Sequence, residues 1–387
     1  MIGLPTPLRP PLLPAAVIRD ATVNDLDALV RLEERCFDSD RLSRRSFRYM
    51  ILRSHARLVV DEEHGALRGY ALVLFLRGTS LARLYSIATD PDHRGKGIGQ
   101  TLLTAAEDAA REHGAVSMRL EIRSDNHVAE RLYRAAGYRQ FGTYQDYYAD
   151  HADALRMDKS LVSHLKPPVM RVPYYEQTLD FTCGPASLIM AMQALEPTLT
   201  ADRKLEIRLW REATTIFMTS GLGGCGPYGL ALAACHRGFG VQIFVNGAGA
   251  LFVDSVRGEE KKEVMRLAQE DFLDQINELP IPLHYTSISV DEMQQHFDAG
   301  GIPIVLISSY RMYRQKFPHW VVITGFDERF VYLHDPYVDT AKGKVRLDSI
   351  NTPILRREFE GMARYGKSSQ RATLIVSRRQ SGNQGPA

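Results

Sequence analysis

The sequence predicts two α/β (α+β) domains in one globular chain. Three observations carry that reading. The chain has 387 residues, and at roughly 100–200 residues per domain this suggests two or three domains. Strand-like and helix-like periodicities mix along the chain, as in α/β or α+β folds. Lys166-Pro-Pro168 punctuates the middle as a linker would, and two signatures of unrelated chemistry fall on either side of it.

Composition narrows the class. Hydrophobic residues make up 44% and charged residues 24%, ordinary for a soluble globular protein. A net charge of +2 gives no electrostatic case for nucleic acid. No apolar run approaches the ~20 residues that span a bilayer. The stretch Met1-Ile-Gly-Leu-Pro-Thr-Pro lacks a basic segment followed by an apolar core, so no secretory signal is expected. Its prolines suggest a disordered lead over 1–15. The four cysteines, at 36, 183, 225 and 235, form no Cys-x-x-Cys pair, so neither a metal site nor a disulfide framework is expected. A reducing cytoplasm fits best.

In chain order, Thr22-Val-Asn-Asp25 reads as a capping box. The helix behind it places Leu26, Leu29, Val30, Glu33, Cys36 and Phe37 at mostly helical spacing. Strands are expected at 57–60, 67–76 and 81–89. A helix from about Gly97 ends at Gly114, a natural C′ residue. Val116, Met118, Leu120 and Ile122 then alternate with Ser117, Arg119 and Glu121, a strand with one apolar and one polar face. Ala129, Leu132, Tyr133 and Ala136 line one helix face, closed by Gly137. Beyond the linker a helix starts at Cys183. The glycine-rich loop Gly221-Leu-Gly-Gly-Cys-Gly226 precedes a helix near 227–237. A charged helix is expected over 257–278, strands at 302–308, 319–325 and 330–334, and a disordered tail from 379 or 380 onward.

The segment from Leu84 to Gly99, ending Arg94-Gly-Lys-Gly-Ile-Gly99, reads strand, turn, glycine loop, helix. Glycines let successive N–H groups face one point, and a helix N-terminus adds partial positive charge. Such a cradle suits a pyrophosphate, although a plain strand-to-helix turn would look the same. Flanking residues sharpen it. Arg94, Gly97 and Gly99 match the Arg/Gln-x-x-Gly-x-Gly/Ala loop of GNAT N-acetyltransferases, and the stretch from Leu120 to Tyr138 matches a second family stretch. Residues 16–161 thus resemble a GNAT domain, most closely the ribosomal-protein alanine N-acetyltransferases. The resemblance implies a mixed sheet with flanking helices and acetyl-CoA as cofactor. It places Ile87, Ala88 and Thr89 beside the pantetheine arm, Arg94, Gly95, Lys96, Gly97, Ile98, Gly99 and Gln100 around the pyrophosphate, and Asn126 in contact with the cofactor. It makes Glu121 the base, acting directly or through water, and Tyr133 the acid toward the CoA thiolate. An exposed strand carboxylate and a core aromatic are the structural alternatives for these two.

In Gln177-Thr-Leu-Asp-Phe-Thr-Cys183-Gly-Pro, the proline is pre-shaped for a first helical turn. Cys183 is therefore expected at a helix N-terminus, which favours thiolate. Two apolar runs, 320–323 and 330–333, flank a turn and read as a hairpin with its midpoint near Asp327. That register pairs His319 with Asp335 on one face, as base and orienting carboxylate, with His334 facing away. Cys225, also followed by Gly-Pro, is the rival thiol; Thr219 stands six residues before it, where Gln177 precedes Cys183. Cys36, Cys235 and His236 read as structural. The order Cys, His, Asp resembles the bacteriocin-leader (double-glycine) peptidases of the papain-like group over 169–378, with 162–168 as linker. That resemblance implies that Gln177 and the Cys183 amide form an oxyanion hole.

Together these point to a bifunctional enzyme without metal. One domain would acetylate an amine, such as a peptide or protein N-terminus; the other would cleave a peptide or amide bond. The same residues fit an acetyltransferase whose peptidase-like domain only binds peptide, or a thioester-forming amide ligase or deamidase.

Overall fold

The computed structural model describes residues 16–38, 40–52, 55–148, 150–162, 172–214, 223–253, 258–340, 344–366 and 368–379. The expected lead, residues 163–168 of the expected linker, the tail from 380, Gly221-Leu222 and Thr219 lie outside the described residues. The chain forms two compact units that divide near residue 163.

The first unit runs β1 (Val17–Asp20), α1 (Leu26–Cys36), α2 (Arg44–Ile51), β2 (Ala56–Glu63), β3 (Ala66–Phe75), β4 (Leu81–Thr89), α3 (Ile98–Glu112), β5 (Ser117–Arg123), α4 (His127–Ala135), β6 (Arg139–Tyr144) and β7 (Ala154–Ser160). Its sheet has the order β1-β2-β3-β4-β5-β7-β6. The Thr22–Asp25 capping box forms, on a 3-10 turn that leads into α1. α3 buries Leu102, Leu103, Ala106 and Ala110 on the sheet. Gly69 of β3 permits that approach: a Cβ there would lie 2.7 Å from both Leu102 Cδ1 and the Ala88 carbonyl oxygen.

One irregularity shapes the first site. β4 and β5 pair in parallel only at Leu81–Ser117, Ala82–Met118 and Arg83–Arg119. A register shift lets Leu72 face Ser86 while Val73 faces Leu84, so Tyr85 is the extra residue in β4. From Leu84 onward, β4 has no ladder partner on its β5 side.

The second unit runs α5 (Cys183–Leu195), α6 (Arg203–Ala213), α7 (Pro227–Cys235), β8 (Phe239–Val245), α8 (Glu259–Asn277), β9 (Leu283–His284), α9 (Val290–Asp298), β10 (Ile302–Ser308), α10 (Tyr310–Tyr313), β11 (Pro318–Phe326), β12 (Phe330–His334), β13 (Thr352–Leu355), α11 (Arg356–Met362) and β14 (Ala372–Arg378). Its sheet has the order β13-β12-β11-β10-β14-β8-β9. The apolar runs of β10 and β11 have a simple cause. Ile304, Leu306, Trp320 and Val322 pack into one core; Val305, Ile307, Val321 and Ile323 pack into another on the opposite face. Strands covered on both faces show no polar alternation. α5 is likewise buried at eleven of its thirteen residues, so it is a core helix whose first residue, Cys183, is 8% exposed.

Candidate active sites

The first site lies where β4 runs into α3. Asp90 accepts a hydrogen bond from the Asp92 N–H, and Arg35 pairs with Asp90 at 3.1 Å and Asp92 at 2.7 Å. These contacts pin the turn before the glycine loop. Gly95 and Gly97 adopt left-handed φ of +77° and +80°, with open space where a Cβ would point. Gly97 is the N-cap of α3 and offers no side-chain cap, so the first-turn N–H groups remain for a ligand. Residues Arg94 to Gly97 are exposed. An uncapped helix N-terminus beside a glycine cradle, and an open β4 edge at Ile87–Thr89, fit the diphosphate and the extended arm of acetyl-CoA. Ala88 is buried and Ile98 packs into the core, so these two could contribute backbone; Lys96 and Gln100 are exposed.

Three expected residues have more constrained settings. Glu121 is not an exposed strand carboxylate: its side chain is 4% exposed and its Oε2 accepts from Arg83 Nη2 at 2.8 Å and Nε at 3.1 Å. The polar face of β5 is covered as well, since Arg119 is 4% exposed and lies over the Phe141 ring. Asn126 caps α4, its side-chain oxygen accepting from the Ala129 N–H at 3.1 Å, which leaves only its amide N–H groups for a cofactor. Tyr133 is buried edge-on against Tyr138, with centroids 5.6 Å apart. Burial, then Tyr148, push this phenol well above its ordinary range, so it carries its proton at neutral pH.

The second site is assembled from three distant segments. Cys183 is the first residue of α5, held to β11 by the Ser187 hydroxyl donating to the Trp320 carbonyl at 3.2 Å. Gly184 leaves little room: a Cβ there would lie 3.1 Å from Leu230, 3.2 Å from Trp320 and 3.3 Å from Cys225. His319 of β11 is 1% exposed and its Nε2 lies 2.7 Å from Asp335 Oδ1. Cys183 acts on the same imidazole and, with Asp335, favours its protonated form. Burial opposes the imidazolium, but Asp335 and Cys183 outweigh it and push the His319 pKa up to about 10. Burial also opposes the Asp335 carboxylate, while His319, Lys344 and Tyr313 hold it below its ordinary value.

The hairpin register differs from the expected one. Val322 faces His334 and Ile323 faces Leu333, with a bulge before Gly325. His319 and Asp335 are therefore diagonal neighbours on one face rather than directly opposed, and the hydrogen bond forms along that diagonal. His334 points away, bonded to the Val172 carbonyl and the Asn351 N–H, each at 2.9 Å. Gln177 donates Nε2–H to the Leu179 carbonyl at 2.8 Å, and its own N–H donates to the Pro336 carbonyl at 2.9 Å. This ties the glutamine to the residue after Asp335. Cys225 lies in the wall: it is 5% exposed, its carbonyl accepts from Trp320 Nε1 at 2.9 Å, and burial, then Cys183, raise its thiol pKa well above normal.

Sequence reading missed Tyr313, whose hydroxyl donates to Asp335 Oδ2, and Lys344, whose Nζ lies 3.0 Å from that hydroxyl. It also missed Glu206, which accepts from Thr178 and Tyr175 beside Gln177. No local spacing links these residues to Cys183.

Residues 172–377 match the Peptidase_C39 like family, and residues 26–138 match the Acetyltransferase (GNAT) family. A Bacillus subtilis (strain 168) protein that carries the name "Putative [ribosomal protein bS18]-alanine N-acetyltransferase" is 30% identical over 143 residues, 37% of this chain and 93% of that protein. The chain belongs to both families. A second relative, the N-alpha-acetyltransferase RimI of Mycobacterium tuberculosis, is 38% identical over 27% of this chain and 65% of its own length. The crystal structure of the Escherichia coli ribosomal-protein-S18-alanine N-acetyltransferase aligns with 39% of this chain and 99% of its own at 24% identity and a TM-score of 0.35. The first unit is thus an N-acetyltransferase, and acetyl-CoA is its donor. Among the described residues no helix is long and apolar enough to cross a membrane.

Proposed function

We propose that the chain is a bifunctional enzyme that acetylates a peptide or protein amine and cleaves a peptide or amide bond through Cys183. The acceptor class is supported by relatives named for acetylating the alanine of a ribosomal protein. Acetyl-CoA supplies the activated acetyl thioester. Tyr133 holds a proton to give to the departing sulfur. Glu121, paired with Arg83 at 2.8 Å, receives the proton of the attacking amine through water. The glycine loop and the α3 N-terminus hold the diphosphate.

The observation that carries the second activity is the buried hydrogen bond between His319 and Asp335, with Cys183 acting on the same imidazole. The Cys183 thiolate attacks the scissile carbonyl carbon, forming a C–S bond. Gln177 and the Cys183 N–H stabilise the oxyanion. The C–N bond then breaks and the leaving amine takes the His319 proton. Water attacks the thioester, His319 takes the water proton, and acid and thiol are released. Asp335 holds the ring throughout. An intact-mass screen of peptides with the full chain, with and without acetyl-CoA, tests both halves. Added acetyl mass supports the first activity and cleaved mass the second. Peptides unchanged in both respects overturn the reading.

A further inference from the structure

Glu206 lies outside the site just described, yet its surroundings bear directly on it. It sits on α6, 0% exposed, and its carboxylate is met by one backbone N–H and three hydroxyl groups, of which the Thr182 hydroxyl also donates to the Leu179 carbonyl at 2.8 Å. Oε1 accepts from the Thr178 N–H at 2.8 Å and lies against the Thr182 hydroxyl. Oε2 accepts from the Thr178 hydroxyl at 2.7 Å and the Tyr175 hydroxyl at 3.0 Å. No cation pairs with it among the described residues. A buried carboxyl group is costly unless fully hydrogen-bonded, and both oxygens of Glu206 are met by hydrogen-bonding groups. Its partners are not scattered. All lie on residues 175–182, the segment that carries Gln177 and enters Cys183. Thr178 follows the glutamine and Thr182 precedes the cysteine. The Leu179 carbonyl between them accepts from Gln177 Nε2 and from the Thr182 N–H at 3.2 Å.

We propose that Glu206 is a positioning residue for the thiol site: its carboxylate fixes segment 175–182 so that the Gln177 amide and the Cys183 N–H converge on one oxyanion position. This rests on the reading of Cys183 as a nucleophile. The Cys183–His319 pair depends less on this clamp, because Cys183 is also held through α5 to β11 and His319 and Asp335 belong to other segments. Glu206 therefore governs acylation, in which an oxyanion forms, and not alkylation, in which none does.

The test uses the full chain and two probes of Cys183. Iodoacetamide alkylates the thiolate; p-nitrophenyl acetate acylates it, the thiolate displacing p-nitrophenolate to form a thioester. Glu206→Gln turns an acceptor into an amide that meets donors on both sides. It should slow acylation by about tenfold or more, toward the roughly 10²–10³-fold of a lost oxyanion donor. Alkylation should stay within about twofold, and Gln177→Ala combined with Glu206→Gln should be little slower than Gln177→Ala alone. Equal slowing with both probes, or independent losses in the double variant, would overturn the inference and leave Glu206 as a general structural support. If Glu206→Gln does not fold, Thr178→Val removes one donor, keeps the carboxylate and carries the same comparison. A wild-type chain alkylated and acylated at Cys183, with Glu206→Gln acylated at the wild-type rate, overturns this inference alone. A wild-type chain that neither probe modifies at Cys183 overturns the nucleophile reading beneath it.

Discussion

Placing an aspartate at Gly99 should move stability and cofactor binding in opposite directions. Gly99 is the second residue of α3, and unlike Gly95 and Gly97 its φ is not positive. A Cβ there would meet Thr89 Oγ1 at 3.6 Å and Leu132 Cδ2 at 3.7 Å, ordinary contact distances. The first turn of α3 has no acidic residue and no side-chain cap. A carboxylate there should stabilise the free protein by about 0.3–1 kcal/mol through the helix dipole. The same charge would occupy the place proposed for the diphosphate. At an effective dielectric of ~20 and a separation of ~5 Å, each like-charge pair costs roughly 3 kcal/mol. That corresponds to binding weakened by about 100-fold or more. Calorimetric titration with CoA, alongside a thermal melt of the ligand-free protein, reads both quantities. An unchanged or raised melting point with lost binding is expected. Affinity within about threefold of wild type would refute the assignment of this helix N-terminus.

Tyr133→Phe should slow acetyl transfer by about 10²–10⁴-fold with little change in CoA affinity; steady-state kinetics beside calorimetry would check it, and a full-rate variant would remove the hydroxyl from the chemistry. Glu121→Gln should slow transfer and also lower the melting point, because it removes the buried carboxylate that pairs with Arg83. His319 contributes pH-dependent stability. Its folded pKa of about 10 lies above its ordinary 6.5, so the stabilisation is full below pH 6.5 and is lost as pH rises through about 10. Asp335, held low, adds stability that is lost only as acid pulls pH below its ordinary 3.8. Melting points measured across that range should fall on the alkaline side in the wild type and fall less steeply in His319→Gln. Gln177→Ala should cost about 10²–10³-fold in acylation of Cys183, read by the release of p-nitrophenolate.

Much of this was legible in the sequence where the cause is local. Glycines at left-handed φ, the Thr22–Asp25 cap and the hairpin around Asp327 are set by neighbours within a few residues. The pairing of His319 with Asp335 was only partly readable by counting: the turn-side register, Gly325–Tyr332 and Phe326–Val331, would set the two on opposite faces, and the bulge before Gly325 shifts it by one so that they share a face. Asn126 was harder, since the same amide that suits a cofactor also suits a helix cap. Glu121 was read on the polar face of its strand, and alternation on one strand does not report that Arg83 of the neighbouring strand covers it. Glu206, Tyr313 and Lys344 were not legible at all. Each meets the thiol site through a contact far apart in sequence, and nothing in local periodicity encodes such a partner.

The central claim about the second unit is that Cys183, and not Cys225, is a nucleophile activated by His319. The most direct measurement is iodoacetamide labelling at neutral pH, read by mass spectrometry on the wild type, Cys183→Ala, Cys225→Ala and His319→Ala. The account predicts one fast-labelling site, lost in Cys183→Ala, strongly slowed in His319→Ala and retained in Cys225→Ala, whose thiol is buried with a raised pKa. Label that disappears only in Cys225→Ala, or labelling of Cys183 at the same rate with and without His319, would contradict it.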